Sequence, residues 1–558
     1  MGRSLWNWRG RLLVLIVAFA AVGASIAGPR RVMRVAQMIS SQIQERGSAL
    51  LRFAQEPLFS APIVSGTVIT PIPQASTPAT GPLRVHPDNP RYFSDPSGRA
   101  IWLTGAHTWS NLQDYGTTDP PPPFEYQAYL EFLQQHNHNF FRLWAWEQAK
   151  WTAELPGEFW NTPMPYARTG PGLALDGKPK YDLSKLNQAY FDRLRERVIQ
   201  AGDRGIYVSI MLFNGWSIED KDLGQGNPWP GHPFHADNNI NGIDGDSNND
   251  GEGHEIHTLA NPAIVALQEQ YLRKLLDTVN DLDNVLFEIS NESHGESQAW
   301  QAHMIDYIKS YEATLPQQHP VGMTVEYPGG SNAELFASAA DWISPNAAIA
   351  GELPVADGRK VILIDTDHLC GICGEYADVW KYFTRGFNFL FMDPYDEAGV
   401  ARGIGPGSGR QPDDPVWVAI RRNMGYARSY ASRMNLAAMT PRGDLASSGY
   451  CLANPNQSGA EYLVYLPSGS VSVDLSGAAG ELAVEWLNPA TGEQIIGATT
   501  IGGDSRTFIA PFNGDAVLYI HQEAPAPSPT AASPSPTAPA SSPTSQVRPG
   551  NFLPMLGS

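Results

Sequence analysis

Eight short apolar runs spaced through residues 100–393 constrain this chain more than any other feature. They read AIWLTG (100–105), NFFRLWA (139–145), IYVSIMLF (206–213), NVLFEIS (284–290), VGMTVE (321–326), DWISP (341–345), KVILID (360–365) and FNFLFMD (387–393). Strands this continuously apolar are buried on both faces, as in a parallel sheet covered by helices. Stretches such as KLNQAYFDRLRERVIQAGDRG and NPAIVALQEQYLRKLLDTVNDL separate most of them and carry helical spacing. Eight strands joined by helices predict an α/β fold, a (β/α)8 TIM barrel. A doubly wound open sheet is the alternative. It would want a Gly-rich phosphate loop after its first strand, and TGAHTW is not one.

The remaining chain has a different grammar. A hairpin with an Asp95-Pro96-Ser97-Gly98 turn precedes the barrel. After it, EYLVYLP, GSVSVDL, LAVEWLN and DAVLYIHQ lie between Gly, Asn and Pro turns with no helical pattern. They predict a small antiparallel β-sandwich. The expected organisation is a barrel over 83–438 and a sandwich over 439–522. A Pro/Thr/Ser linker over 60–82 and a Pro/Ser/Thr-rich tail over 523–558 flank them. Residues 29–59 read as an amphipathic stem.

At the start, Arg3, Arg9 and Arg11 precede an apolar run, and Ser25-Ile26-Ala27 offers a small-x-small cleavage site. Arg30, Arg31 and Arg34 follow at once. Residues 1–28 are therefore either a cleaved signal peptide or a retained membrane anchor. Both readings place the rest of the chain outside the cytoplasm, extracellular or tethered at the cell surface. No later segment is long and apolar enough to span a bilayer.

A formal net charge of -19, with no Lys/Arg cluster in the central region, argues against a nucleic-acid partner. Three cysteines do not make a disulfide scaffold. Cys370 and Cys373, in CGIC, form either a local disulfide or two structural thiols, and Cys451 reads as a buried unpaired thiol.

Barrel chemistry sits at the C-terminal strand ends. There the chain places His107 and Trp109 after the first strand, Arg142 and Trp144 at the second, and Asn291-Glu292 at the fourth. Glu326 stands at the fifth, Asp365-Thr366-Asp367-His368 at the seventh and Asp393 at the eighth. Two opposed carboxyl groups are what glycosidic bond cleavage needs: one donates a proton to the leaving oxygen, the other attacks the anomeric carbon or activates water. Aromatic side chains at the same mouth suit the C–H faces of sugars. A carbohydrate substrate is the expected partner.

LFEISNES, closing the fourth strand on Asn-Glu, resembles the motif of clan A retaining glycoside hydrolases, the cellulase-like superfamily. Arg142 at the end of the second strand resembles the Arg of that clan. NNINGIDGD, IDTDHL and FMDPYD resemble a narrower set of apiosidase-like bacterial proteins, whose barrel carries a C-terminal collagen-binding-type sandwich. The resemblance implies Glu292 as general acid/base, Asn291 as the residue that hydrogen-bonds the hydroxyl beside the reacting carbon, and Arg142 as the group that keeps the nucleophile ionised. The clan carries Glu at the end of its seventh strand, whereas this chain offers Asp365 and Asp367. Strand alternation would put both on one side, Asp367 higher by roughly 6–7 Å and nearer the mouth. Asp367 is therefore the expected nucleophile. A gap widened to roughly 6.5–9.5 Å would instead favour inversion.

Blander roles compete for several of these residues. Glu288 reads as an interior residue paired with a base. Glu326 is a candidate for substrate contact. His368 either binds sugar or braces Asp367, and His107, Trp109 and Trp144 line a subsite. Asp393 either contacts substrate or caps its loop. No catalytic metal or cofactor is expected. Asp244, Asp246, Asn248 and Asp250 with Gly251 resemble half of a calcium loop, but His257 stands where the last acidic ligand belongs. That loop is either a structural calcium site or a solvated edge of the cleft. The function reading is a retaining glycoside hydrolase, with a non-catalytic carbohydrate- or matrix-binding protein on the same barrel as the alternative.

Overall fold

The computed structural model describes residues 77–151, 159–221, 226–346, 353–395 and 412–522. The expected signal or anchor, the stem, most of the first linker and the Pro/Ser/Thr tail lie outside the described residues. No helix among the described residues is long and apolar enough to cross a membrane.

The eight barrel strands are Thr104–His107, Phe140–Leu143, Tyr207–Asn214, Val285–Asn291, Val321–Thr324, Trp342–Ser344, Val361–Asp365 and Asn388–Met392. Seven parallel pairings join them in sequence order from the second strand round to the first. Between the first and second strands a side chain does the work of a ladder. The Asn139 amide oxygen accepts from the Thr104 N–H at 3.0 Å, and the Asn139 N–H donates to the Thr104 carbonyl at 3.0 Å. The sheet is a nearly closed (β/α)8 barrel.

Alternation sorts each strand into two faces. Phe141, Leu143, Val208, Ile210, Phe287, Ile289, Ile362 and Ile364 point outward into the core beneath the helices. Leu103, Phe140, Tyr207, Leu286, Trp342, Val361, Leu363 and Leu390 fill the lower interior. Gly322 is required there, because an added Cβ would lie 1.8 Å from the Trp342 indole. The interior is thus a packed floor of side chains, and above it stand the polar residues of the mouth beside Met211 and Met392.

The run at 100–105 is divided, against expectation. Ala100–Ile101 pairs with Phe93–Ser94, which pairs with Arg84–Val85, in a meander of three strands. The first barrel strand begins only at Thr104. Ile101 and Leu103 are both buried, so an apolar pattern alone cannot mark the break.

Two antiparallel excursions rise from the C-terminal side of the first two strands. One joins Asp114–Gly116, Phe159–Thr162 and Lys150–Trp151, and the other is the hairpin Tyr166–Leu173 with Pro179–Leu186.

The β-sandwich has a large sheet built on Cys451–Asn454, Glu461–Leu466, Ala516–His521 and Glu481–Leu487, and a small pair, Ser470–Asp474 with Ser505–Ile509. One face of the large sheet, with Tyr462, Val464, Leu518 and Ile520, packs on Val471 and Val473 of the small pair. The other, with Leu452, Leu463, Tyr465, Val517 and Tyr519, joins the same continuous core as the barrel helices. Cys451 is a buried free thiol, and Cys370 and Cys373 form a disulfide.

Candidate active site

Arg142 is the hub of the barrel mouth. Its side chain points inward from the second strand and is 1 % exposed. Nε and Nη2 donate to the two oxygens of Glu288 at 2.8 and 2.5 Å. Nη1 donates to Asp365 at 3.1 Å and to Asp367 at 2.9 Å, and Nη2 also reaches the Asn291 amide oxygen at 2.6 Å. A planar five-donor fork is suited to several oxygens at fixed angles. One guanidinium thus meets three carboxyl groups, and Glu288 takes the interior, base-paired position.

The two aspartates differ in support. Asp365 is fully buried. It bonds His107 Nε2 at 3.0 Å and accepts the Asp367 backbone N–H at 3.0 Å. Burial pushes its carboxyl up, but His107 and Arg142 outweigh that and hold it well below the usual carboxylate range. Asp367 is partly open, and burial pushes it up against the pull of Arg142. The strand stops at Asp365, and Asp367 lies in a 3₁₀ turn, Thr366–His368, so strand parity does not place it. The turn still brings its carboxylate to Arg142.

Asn291 is oriented by two donors. Arg142 Nη2 must find an oxygen, so the amide oxygen faces the guanidinium and also accepts from His368 Nε2 at 3.0 Å. His368 Nδ1 lies 2.7 Å from the Ser344 hydroxyl, which donates to it. Burial and the Arg142 charge push His368 down to about 3, so the ring is neutral, as this bonding requires. The Asn291 Nδ2 amide has no partner among the described residues although the residue is fully buried.

Glu292 follows in the left-handed region, with φ 46°. Its Oε2 accepts from Trp216 Nε1 at 2.6 Å. Burial, and after it the Asp367 charge, push its carboxyl up to about 8. Near neutral pH this carboxyl carries a proton. Its carbonyl is covered by Gly215, where a Cβ would come within 2.2 Å of it.

The aromatic residues are arranged otherwise than the sequence suggested. Trp109 and Trp144 are buried with Trp146, Trp151, Tyr115 and Phe159, and His107 stacks on Trp144 at 5.7 Å instead of facing the opening. The half-buried side chains on this cluster are Trp216 and Ile372. The Glu326 and Asp393 carboxyl groups do not bond Arg142. Glu326 folds over its own loop beside Gly330, where burial raises it to about 7. Asp393 pairs with Arg421 through both oxygens. In the acidic loop, the Asp246 carboxylate accepts the N–H groups of Asp250 and Gly251. Glu219, Glu252 and His254 come close enough together to share a cation, but the Lys221 ammonium already bonds Glu219 there.

Sequence reading missed Trp216, Lys221 and Ser344. Trp216 was findable: Asn214-Gly215-Trp216 ends the third strand, and the rule applied to the other strand ends holds for it too.

The profile of a family described only as a domain of unknown function (DUF6298) matches residues 148–327, which include Glu292 but neither Arg142 nor Asp367. No curated protein matches the sequence. Among solved structures, one named "Glycoside hydrolase" aligns over 79% of this chain and 97% of its own, with a TM-score of 0.50 and 13% identity. A glycoside hydrolase family 5 protein from Bacteroides vulgatus ATCC 8482 aligns over 80% of this chain and 95% of its own, also with a TM-score of 0.50 and 13% identity. At that identity the likeness is one of fold.

Proposed function

We propose that this chain is an exported retaining glycoside hydrolase acting on a poly- or oligosaccharide. The observation that carries the reading is the unequal carboxyl pair at one barrel mouth: Glu292, seated on Trp216, is kept protonated near neutrality by burial and the Asp367 charge, and Asp367 lies on the Arg142 guanidinium. The glycoside hydrolases that share the fold make a carbohydrate substrate the natural one. The narrower likeness to apiosidase-like proteins, and export through residues 1–28, rest on the sequence motifs.

In the first step Glu292 gives its proton to the glycosidic oxygen as Asp367 attacks the anomeric carbon. The C–O bond breaks and a glycosyl ester forms on Asp367. In the second, the Glu292 carboxylate takes a proton from water, whose oxygen attacks the same carbon and frees Asp367. The Asn291 Nδ2 donor, without a partner among the described residues, suits the hydroxyl beside that carbon. His107, Asp365, Glu288 and His368 hold Arg142 and Asn291 in place.

Glu292→Gln should lose most activity on substrates with poor leaving groups and much less on activated aryl glycosides, because acid help matters only where the leaving oxygen needs a proton. A fluorosugar inactivator followed by peptide mapping should label Asp367. A label on Asp365 or Glu326 would displace the nucleophile assignment, and an inverted product from wild type would make Asp367 the base for water.

A further inference from the structure

Lys221 lies in the loop after the third strand, and its side chain is 1 % exposed. Its ammonium meets acceptors from three different loops: the Glu219 carboxylate, the Glu292 carbonyl at 2.9 Å and the Tyr327 carbonyl at 2.5 Å. A buried ammonium is tolerated when its charge is paired and its donors are used, and here both conditions hold. Glu219 is held in turn from behind. Its second oxygen bonds His254 Nε2 at 2.7 Å, and Glu252 lies 3.4 Å from the same nitrogen.

The acceptor on Glu292 is the informative one. A glutamate in the left-handed region is strained and persists only where surrounding contacts impose it. The Glu292 carbonyl is caught between Lys221 and the bare face of Gly215. That grip fixes the peptide following Glu292, and with it the direction in which the carboxyl leaves the strand.

We propose that Lys221 is the positioning residue of Glu292: its ammonium holds the Glu292 carbonyl and so turns the carboxyl onto Trp216. This rests on the reading of Glu292 as the acid/base. The charged and titratable groups facing Lys221 are Glu219, Glu252 and His254 from its own side, Glu292 from the fourth strand, and the Tyr327 ring at 5.9 Å from the loop after the fifth. Asp367 and Arg142 act on Glu292 from across the mouth. Lys221 and Arg142 favour the Glu292 carboxylate, whereas Asp367 opposes it.

The test is a titration of the Glu292 carboxyl in the full chain by isotope-edited infrared difference spectroscopy, with its band identified by its loss in Glu292→Gln. In Lys221→Met the midpoint should rise by about one pH unit, because an opposite charge has been removed. Lys221→Arg, which keeps the charge, should stay close to wild type. Lys221→Gln, which removes the charge but keeps a donor for the two carbonyls, carries the test if Lys221→Met unfolds the protein. An unmoved midpoint in folded Lys221→Met or Lys221→Gln, or equal shifts in the Met and Arg variants, would overturn the proposal. The titration needs no substrate. A shifted midpoint in a wild-type background that hydrolyses no glycoside would therefore overturn the hydrolase reading while leaving the hold of Lys221 on Glu292 intact.

Discussion

At the scale of single residues, the mouth is a problem in charge. Glu288, Asp365, Asp367 and Glu292 converge on Arg142 and Lys221, with His107 and His368 between them. The proton that Glu292 keeps is the consequence, and it has a cost in stability. Its folded value, about 8, lies above its ordinary value of 4.5, so the folded state binds the proton more tightly than the unfolded chain. Stability from this group is fully present below about pH 4.5 and falls away as pH rises through about 8. Glu292→Gln removes that loss. The variant should match wild type near pH 4 and exceed it at pH 8 by on the order of 2–4 kcal/mol. Chemical denaturation at the two pH values measures it, and a constant difference between the curves would refute it. The residue types of this cluster were legible in the sequence because strand ends could be lined up. The left-handed Glu292 was not, since nothing in SNES marks a positive φ. Lys221 was not either, because a lone lysine in a polar loop reads as solvated until the fold closes over it.

At the scale of elements, the loop after the seventh strand decides where Asp367 stands. The Leu369, Cys370 and Gly371 N–H groups all donate to the Thr366 carbonyl, at 3.0, 2.9 and 2.7 Å, and the Thr366 hydroxyl accepts from the Met392 N–H at 2.9 Å. The Cys370–Cys373 disulfide closes this knot, and Ile372 between the cysteines packs on the aromatic cluster beside the site. CGIC therefore belongs to the wall of the cleft. Cys370→Ser/Cys373→Ser should lower stability by about 2 kcal/mol, the value for so short a closed loop. It should lower kcat/KM on an aryl glycoside that the wild type hydrolyses by about tenfold or more, since a misplacement of about 1 Å in a positioned group can cost as much as a hundredfold. Activity unchanged with the disulfide open would show that the loop does not hold Asp367. The sequence suggested a disulfide here but placed Asp367 by extending strand alternation through Thr366. That step failed because Asp365 caps the turn with its own side chain, a short polar residue competing with the strand.

At the scale of the whole molecule, barrel and sandwich were readable as two grammars, alternating β and α against short strands and turns. How they join was not readable, because Leu463 and Tyr465 look like any strand residues until both faces of their sheet are seen to be covered. Leu452, Leu463, Tyr465, Val517 and Tyr519 face the barrel helices, with Tyr430 of the helix Pro415–Arg433 set against Tyr519 at 5.6 Å. Polar ties rim this contact. Tyr376 donates to Asp515 at 2.9 Å, the Asn423 amide donates to the Pro489 carbonyl at 2.9 Å, and Arg433 pairs with Glu485. Separate domains joined through a polar interface would unfold separately. Here the interface is apolar and continuous with the core, so calorimetry of the full chain should show one transition for 83–522. Limited proteolysis should not release an intact sandwich by cutting near residue 439. Leu463→Asp places a charge on the shared face and should lower the melting temperature of the barrel together with that of the sandwich, in a single shifted transition. Two transitions, with only the smaller one moved by Leu463→Asp, would mean that the sandwich is an independent module carried by the barrel.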